Sequence, residues 1–129
     1  MLKPGLKKMA DQVDVDVDVK DGPGSAEKSE KQIYCGACGH ALTSQAFEMT
    51  HAGAHTHVFQ NPAGYTFEIG LFKEAPGAGE KGTPQAEHSW FAGMLWSYAH
   101  CLGCGVHLGW KFSGEETFWG LIETHLRYD

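Results

Sequence analysis

The strictest alternation of apolar and polar residues in the chain is "VDVDVDV", Val13 to Val19. Valine favours strands, and a two-residue period is that of a strand with one face buried, so this run is a candidate edge strand. Every second residue is aspartate, however, which strands disfavour, and residues 1–30 contain no aromatic side chain. Too little apolar area is available there to offset the entropy of ordering. Residues 1–30 are therefore expected to be a disordered polar tail, with the edge strand as the alternative.

From Tyr34 onward the pattern changes. Short runs such as "THVFQ" (56–60) and "YTFEIGLFK" (65–73) are separated by turn signals, "NPAG" and the glycine-rich "EAPGAGEKGTPQ". No amphipathic helical pattern persists for more than a few turns, so the spacing predicts antiparallel strands. "SWFAGMLWSYAHC" reads as a hairpin turning at Gly93, and "VHLGWKFSG" as a strand with Trp110 and Phe112 on one face. The end of the chain, "FWGLIETHLRYD", fits a helix or a strand equally well.

Composition agrees with a mainly β reading. The 129 residues include 17 glycines, which suit turns and short strands better than long helices. One domain, residues 31–129, is expected, and a domain of this size hides only roughly two thirds of its unfolded surface, so its core alone is modest. The formal charge is -6, with no lysine- or arginine-rich stripe beside the aromatic residues, which argues against a nucleic-acid partner. No apolar run has the length of a membrane span, and "MLKPGLKK" lacks the apolar segment and cleavage site of a signal peptide. The reading is cytoplasmic, where cysteines stay reduced.

The four cysteines carry the clearest chemistry. "CGACGHAL" (35–42) is echoed by "CLGCGVHL" (101–108), two C-x-x-C-G knuckles separated by most of the domain. Each knuckle offers two thiolates from a tight turn, and the glycine after the second cysteine lets main-chain N–H groups face the sulfurs. Cys35, Cys38, Cys101 and Cys104 are thus expected to bind one structural Zn²⁺, which also supplements the small core. The alternatives are a redox C-x-x-C or unrelated buried thiols. His40 and His107, just past the knuckles, are not needed as ligands and are expected to lie outside the coordination sphere or at the surface. "HAGAHTH" brings His51, His55 and His57 together as a candidate second metal site, or simply as a solvated loop.

Convergence of the knuckles on one ion brings the segment before Cys101 close to the strand after Cys104. Trp90, Trp96, Trp110 and Phe112 then lie within reach of one another, either as core or as the walls of an open box, with His88 and Ser89 supplying polar groups at its mouth. "NPAGY" (61–65), "HSWFAG" (88–93), "LGWKF" (108–112) and "FWGL" (118–121), framed by the two knuckles, closely resemble the thalidomide-binding, or CULT, domain family of cereblon, over residues 33–129.

The resemblance implies two antiparallel sheets meeting at an angle and pinned by structural zinc, the β-tent. It also implies that Trp90, Trp96 and Trp110 form a cage with Phe112 at its base for the glutarimide ring of thalidomide-type ligands. The main-chain carbonyl and ring of His88 and the N–H of Trp90 would meet the imide edge, with Asn61 and Pro62 at the rim. A cyclic imide presents acceptor, donor and acceptor in a row, which those groups complement. Uridine-like pyrimidines and peptides ending in a cyclic imide share that edge.

Cereblon itself carries a Lon-like domain and a helical region that docks onto a ubiquitin ligase. Neither fits residues 1–30, so ligase docking is not expected and the chain resembles the single-domain bacterial form. No enzyme activity is expected: a β-tent methionine sulfoxide reductase needs a nucleophilic cysteine beyond its metal ligands. The remaining alternatives are an aromatic cage for methylated ammonium groups, with Glu87 as its carboxylate, and a purely structural zinc domain.

Overall fold

The computed structural model describes residues 31–128; the tail and its "VDVDVDV" run lie outside the described residues. Strands β1 (Gln32–Cys35), β2 (Ala41–Ser44), β3 (Thr56–Gln60), β4 (Thr66–Phe72), β5 (Ala78–Gln85), β6 (Leu95–Cys101), β7 (His107–Ser113), β8 (Thr117–Ile122) and β9 (Leu126–Tyr128) form two antiparallel sheets. The smaller runs β9-β1-β2 and the larger β3-β4-β8-β7-β6-β5. Among the described residues there is no helix long and apolar enough to cross a membrane.

Alternation along the central strands makes two cores. In β4, Phe67, Ile69 and Leu71 face one side of the large sheet and Phe72 the other. Phe72 joins Ile33, Leu42, Leu108 and Leu121 in a core that draws on both sheets. Ile69, Leu71, Phe91, Trp110, Phe112 and Phe118 form the second core on the opposite face. Gly109 lets β7 serve both. Its φ of 151° breaks the alternation, so Leu108 joins the first core and Trp110 the second, and a Cβ there would stand only 2.1 Å from the Gly120 carbonyl oxygen.

Two expectations differ from the structure. "SWFAGMLWSYAHC" is not a hairpin about Gly93: its second half is β6, which pairs with β7 and with β5, while residues 86–94 form a loop. The partner strand comes from "AGEKGTPQ", which its glycines and proline marked as a turn. β5 tolerates Pro84 because it is an edge strand, where a missing N–H interrupts no second ladder, and its register shifts between Lys81 and Gln85. The open question at the C-terminus resolves as strand, a 3-10 turn at Glu123–His125, and strand again. That turn carries the chain from the large sheet, where β8 pairs with β4 and β7, to the small one, where β9 pairs with β1.

Candidate functional site

The two knuckles repeat each other in conformation as well as in sequence. Gly39 N–H donates to Cys35 O, and Gly105 N–H to Cys101 O, both at 2.8 Å. Each of these glycines has a φ near +80° (83° and 82°), where a side chain would be strained. Cys35 and Cys101 are buried, Cys38 and Cys104 exposed, and the four sulfurs lie within 4.8 Å of one another. Cys35 and Cys104 Sγ are 3.9 Å apart, and Cys38 and Cys101 Sγ 3.6 Å. These distances are too long for disulfides and match the roughly 3.8 Å edge of a sulfur tetrahedron around an ion about 2.3 Å from each ligand. Gly103 N–H donates to Cys101 Sγ at 3.3 Å.

Without a cation the thiols compete. Burial opposes the Cys101 thiolate, but the N–H groups of Cys104 and Gly103 and the thiols of Cys38 and Cys35 outweigh it and lower that group to about 7. Cys38 gains from the His40 N–H but loses more to burial and to the neighbouring thiols of Cys101, Cys104 and Cys35, and is pushed up to about 12. Four sulfurs in this arrangement fit a soft divalent ion, whose charge lets all four ionise.

On the opposite face of the large sheet a cavity of about 460 Å³ opens. Asn61, Pro62, His88, Trp90, Trp96, Trp110 and Phe112 all line it. Trp90 and Trp110 meet edge to face at 4.7 Å and 69°, while Phe59 stacks behind Trp90 at 4.9 Å and 13°. Phe112 is 1% exposed. Asn61 shapes its own turn: its Oδ1 accepts from Tyr65 N–H at 2.9 Å. Ser89 is not in the wall. Its hydroxyl donates to Phe91 O at 3.1 Å and accepts from Phe91 N–H at 3.4 Å.

Phe67 and Tyr98, which the sequence did not single out, also line the cavity, as does His107, expected outside the coordination sphere or at the surface. Strand parity was the signal for Tyr98, two positions past Trp96. His107 is neither a ligand nor a surface group: its half-buried ring meets Trp110 at 5.0 Å and 84° and Tyr98 at 5.7 Å and 75°. Its Nε2–H donates to Gly109 O at 2.9 Å. Burial holds the ring below its ordinary pKa, outweighing the Gly109 bond, with His125 adding to the lowering. A neutral ring donating from Nε2 keeps Nδ1 as an acceptor.

His88 has a φ of +62°, unusual for a residue with a side chain. Among the described residues, no hydrogen bond engages its main-chain carbonyl or the N–H of Trp90. Glu87 is not in the wall; its carboxylate is 75% exposed and 3.6 Å from His88 Nε2. The histidines of "HAGAHTH" do not converge on a common point. His51 Nδ1 bonds Glu116 at 2.9 Å, His55 Nδ1 bonds Met49 O at 3.0 Å, and His57 Nε2 bonds His51 O at 2.9 Å. Among the described residues the four cysteines are the only group suited to a metal ion.

No family model matches the chain. Cereblon of Gallus gallus is 39% identical over 74 residues, covering 53% of this chain and 17% of that protein. Cereblon of Xenopus tropicalis is 37% identical over 75 residues, covering 54% of the chain and 17% of that protein. Cereblon of Danio rerio is 38% identical over 74 residues, with coverage of 53% and 17%. The matched stretch spans less than a fifth of the length of these relatives. Over about half of its length the chain is similar to cereblon, and its two antiparallel sheets and four-cysteine cluster are consistent with a CULT domain.

Proposed function

We propose that residues 31–129 form a zinc-stabilised binding domain, without catalytic activity, whose tryptophan cavity takes up cyclic imides of the glutarimide type. Free uridine-like pyrimidines or peptides ending in a cyclic imide are its natural ligand classes. The observation that carries this reading is the pairing of apolar walls with an unengaged polar edge. Trp90, Trp96, Trp110 and Phe112 line the cavity, while the His88 carbonyl and the Trp90 N–H, neither engaged by a hydrogen bond among the described residues, lie in the same loop. A neutral ring with an acceptor-donor-acceptor edge uses both features.

The methylated-ammonium reading has less support. Among the described residues no carboxylate lines the cavity, and Glu87 faces His88 and solvent, so a desolvated cation would find ring quadrupoles but no anionic partner. Reductase chemistry is not supported either, because all four cysteines belong to the sulfur cluster.

Tryptophan fluorescence titrations test the reading. Glutarimide is expected to perturb emission saturably. N-methylglutarimide is expected to bind at least about a hundredfold more weakly, because methylation removes the donor and leaves the His88 carbonyl unpaired. Equal response to both compounds, or stronger binding of tetramethylammonium, overturns it.

A further inference from the structure

The loop 86–94 presents both His88 and Trp90 to the cavity, yet its own main-chain bonding is sparse. Ser89 N–H reaches Ala86 O at 3.2 Å, and Met94 N–H reaches Phe91 O at 3.1 Å. A histidine held at φ +62° persists only where its surroundings over-determine it. The surroundings here include a feature outside the cavity. Phe91, 5% exposed, sits in a box of five rings and meets each nearly at right angles: His51, His57, Phe59, Phe112 and Phe118, with centroids 4.9–5.4 Å away.

The histidine-rich motif builds two sides of that box. His57 Nε2–H is shared between the carbonyls of His51 and Ala54, at 2.9 and 3.0 Å, which closes the 51–54 turn. His51 packs against Phe118 at 4.9 Å and bonds Glu116 at 2.9 Å, linking that turn to the one between β7 and β8. Phe112 and Phe59 connect the box to the cavity: Phe112 lines it, and Phe59 backs Trp90.

We propose that Phe91, seated in a box closed by the His51–Glu116 pair, is the positioning residue of the cavity: it fixes the loop that presents His88 and Trp90. The inference deepens the binding role proposed above and rests on it for its functional consequence. A loop that leaves its binding-competent state lowers affinity by the fraction of time it is absent. Phe91 therefore affects ligand binding without touching the ligand.

The test uses the full chain and the variants Phe91→Leu, His51→Ala and Glu116→Gln, with Val58→Ala on the other face of β3 as control. Ligand-free hydrogen exchange of the Ser89 and Met94 amides is the first readout, and glutarimide affinity the second. Phe91→Leu is expected to accelerate loop exchange and to weaken glutarimide binding, each by about tenfold. His51→Ala is expected to do so by a smaller factor, and Glu116→Gln by less again. Amides of β6–β8 keep wild-type exchange in the two rim variants, whereas a merely structural role raises exchange across those strands in step with the loop. If Phe91→Leu does not fold, His51→Ala, at the partly exposed rim of the box, decides alone. Unchanged loop exchange in every folded variant overturns the inference. Wild-type protein that ignores glutarimide overturns the binding reading instead, and the exchange data still judge the positioning role.

Discussion

The indole N–H of Trp96 donates to the main-chain carbonyl of Glu87 at 2.6 Å, so a wall of the cavity also holds the residue immediately before His88. With Phe91 seated on the other side, the left-handed turn at His88 is clamped from both directions. Ring and N–H of Trp96 thus have separable roles.

Trp96→Phe keeps an aromatic wall and removes the N–H. A lost hydrogen bond of about 1 kcal/mol is expected to weaken glutarimide binding roughly fivefold. Trp96→Ala removes the wall as well and costs about 2 kcal/mol more. Equal affinities for Trp96→Phe and wild type, by fluorescence of the remaining tryptophans, contradict the clamp.

At φ +62° a glycine is unstrained and a β-branched residue is strongly disfavoured. His88→Gly is therefore expected to unfold within about 1 kcal/mol of wild type, and His88→Val to be less stable by about 1–2 kcal/mol. Denaturant midpoints check the order. A His88→Val protein as stable as His88→Gly means that the loop relaxes away from the observed turn.

One zinc per chain is expected by elemental analysis, with cooperative loss of β structure on chelation. Binding requires thiolates, and without the ion the His40 N–H is outweighed by burial and the neighbouring thiols, which push Cys38 up to about 12, while against burial main-chain N–H groups help to lower Cys101 to about 7. Zinc uptake at neutral pH therefore releases protons, and affinity falls as pH drops, because protons compete for each sulfur. A chain that keeps its far-UV spectrum in excess chelator shows that the sheets do not depend on the ion.

The Glu123 carboxyl is raised above its ordinary 4.5 by burial, although the Tyr128 hydroxyl and His55 favour its ionised form, while Glu68 and Glu48 add to the rise. The folded state therefore holds this proton more tightly than the unfolded state. Its contribution to stability is fully present below about pH 4.5 and is lost as pH rises through the elevated folded value. Glu123→Gln keeps an acceptor for the Tyr128 hydroxyl, 2.7 Å away in the native protein, and carries no charge. It is expected to be at least as stable as wild type at pH 7, with any gain vanishing in acid. A variant less stable at pH 7 than in acid, relative to wild type, reverses the sign and refutes the assignment.

The sequence by itself determined the four-cysteine cluster and most of the residues that line the cavity. Two C-x-x-C-G turns need no distant partner to form, so Cys35, Cys38, Cys101 and Cys104 were legible from spacing, and their convergence implied that Trp90, Trp96 and Trp110 lie close together. Strands such as Thr66–Phe72 were legible because turns bound short apolar runs. Only the tertiary structure decided what those runs pair with. β5 forms from glycine- and proline-containing residues because β6 offers it a ladder at the sheet edge, a gain that local propensity does not report. The same holds for Phe91 and "HAGAHTH". Whether three histidines bind a metal, face solvent or enclose a ring depends on which residues lie opposite them, and those residues, Phe118 and Glu116, come from the far end of the chain. Tyr98 and His107 entered the cavity wall for a related reason: Trp110 lies across the ladder from Tyr98, and the irregular backbone at Gly109 turns the His107 ring toward both.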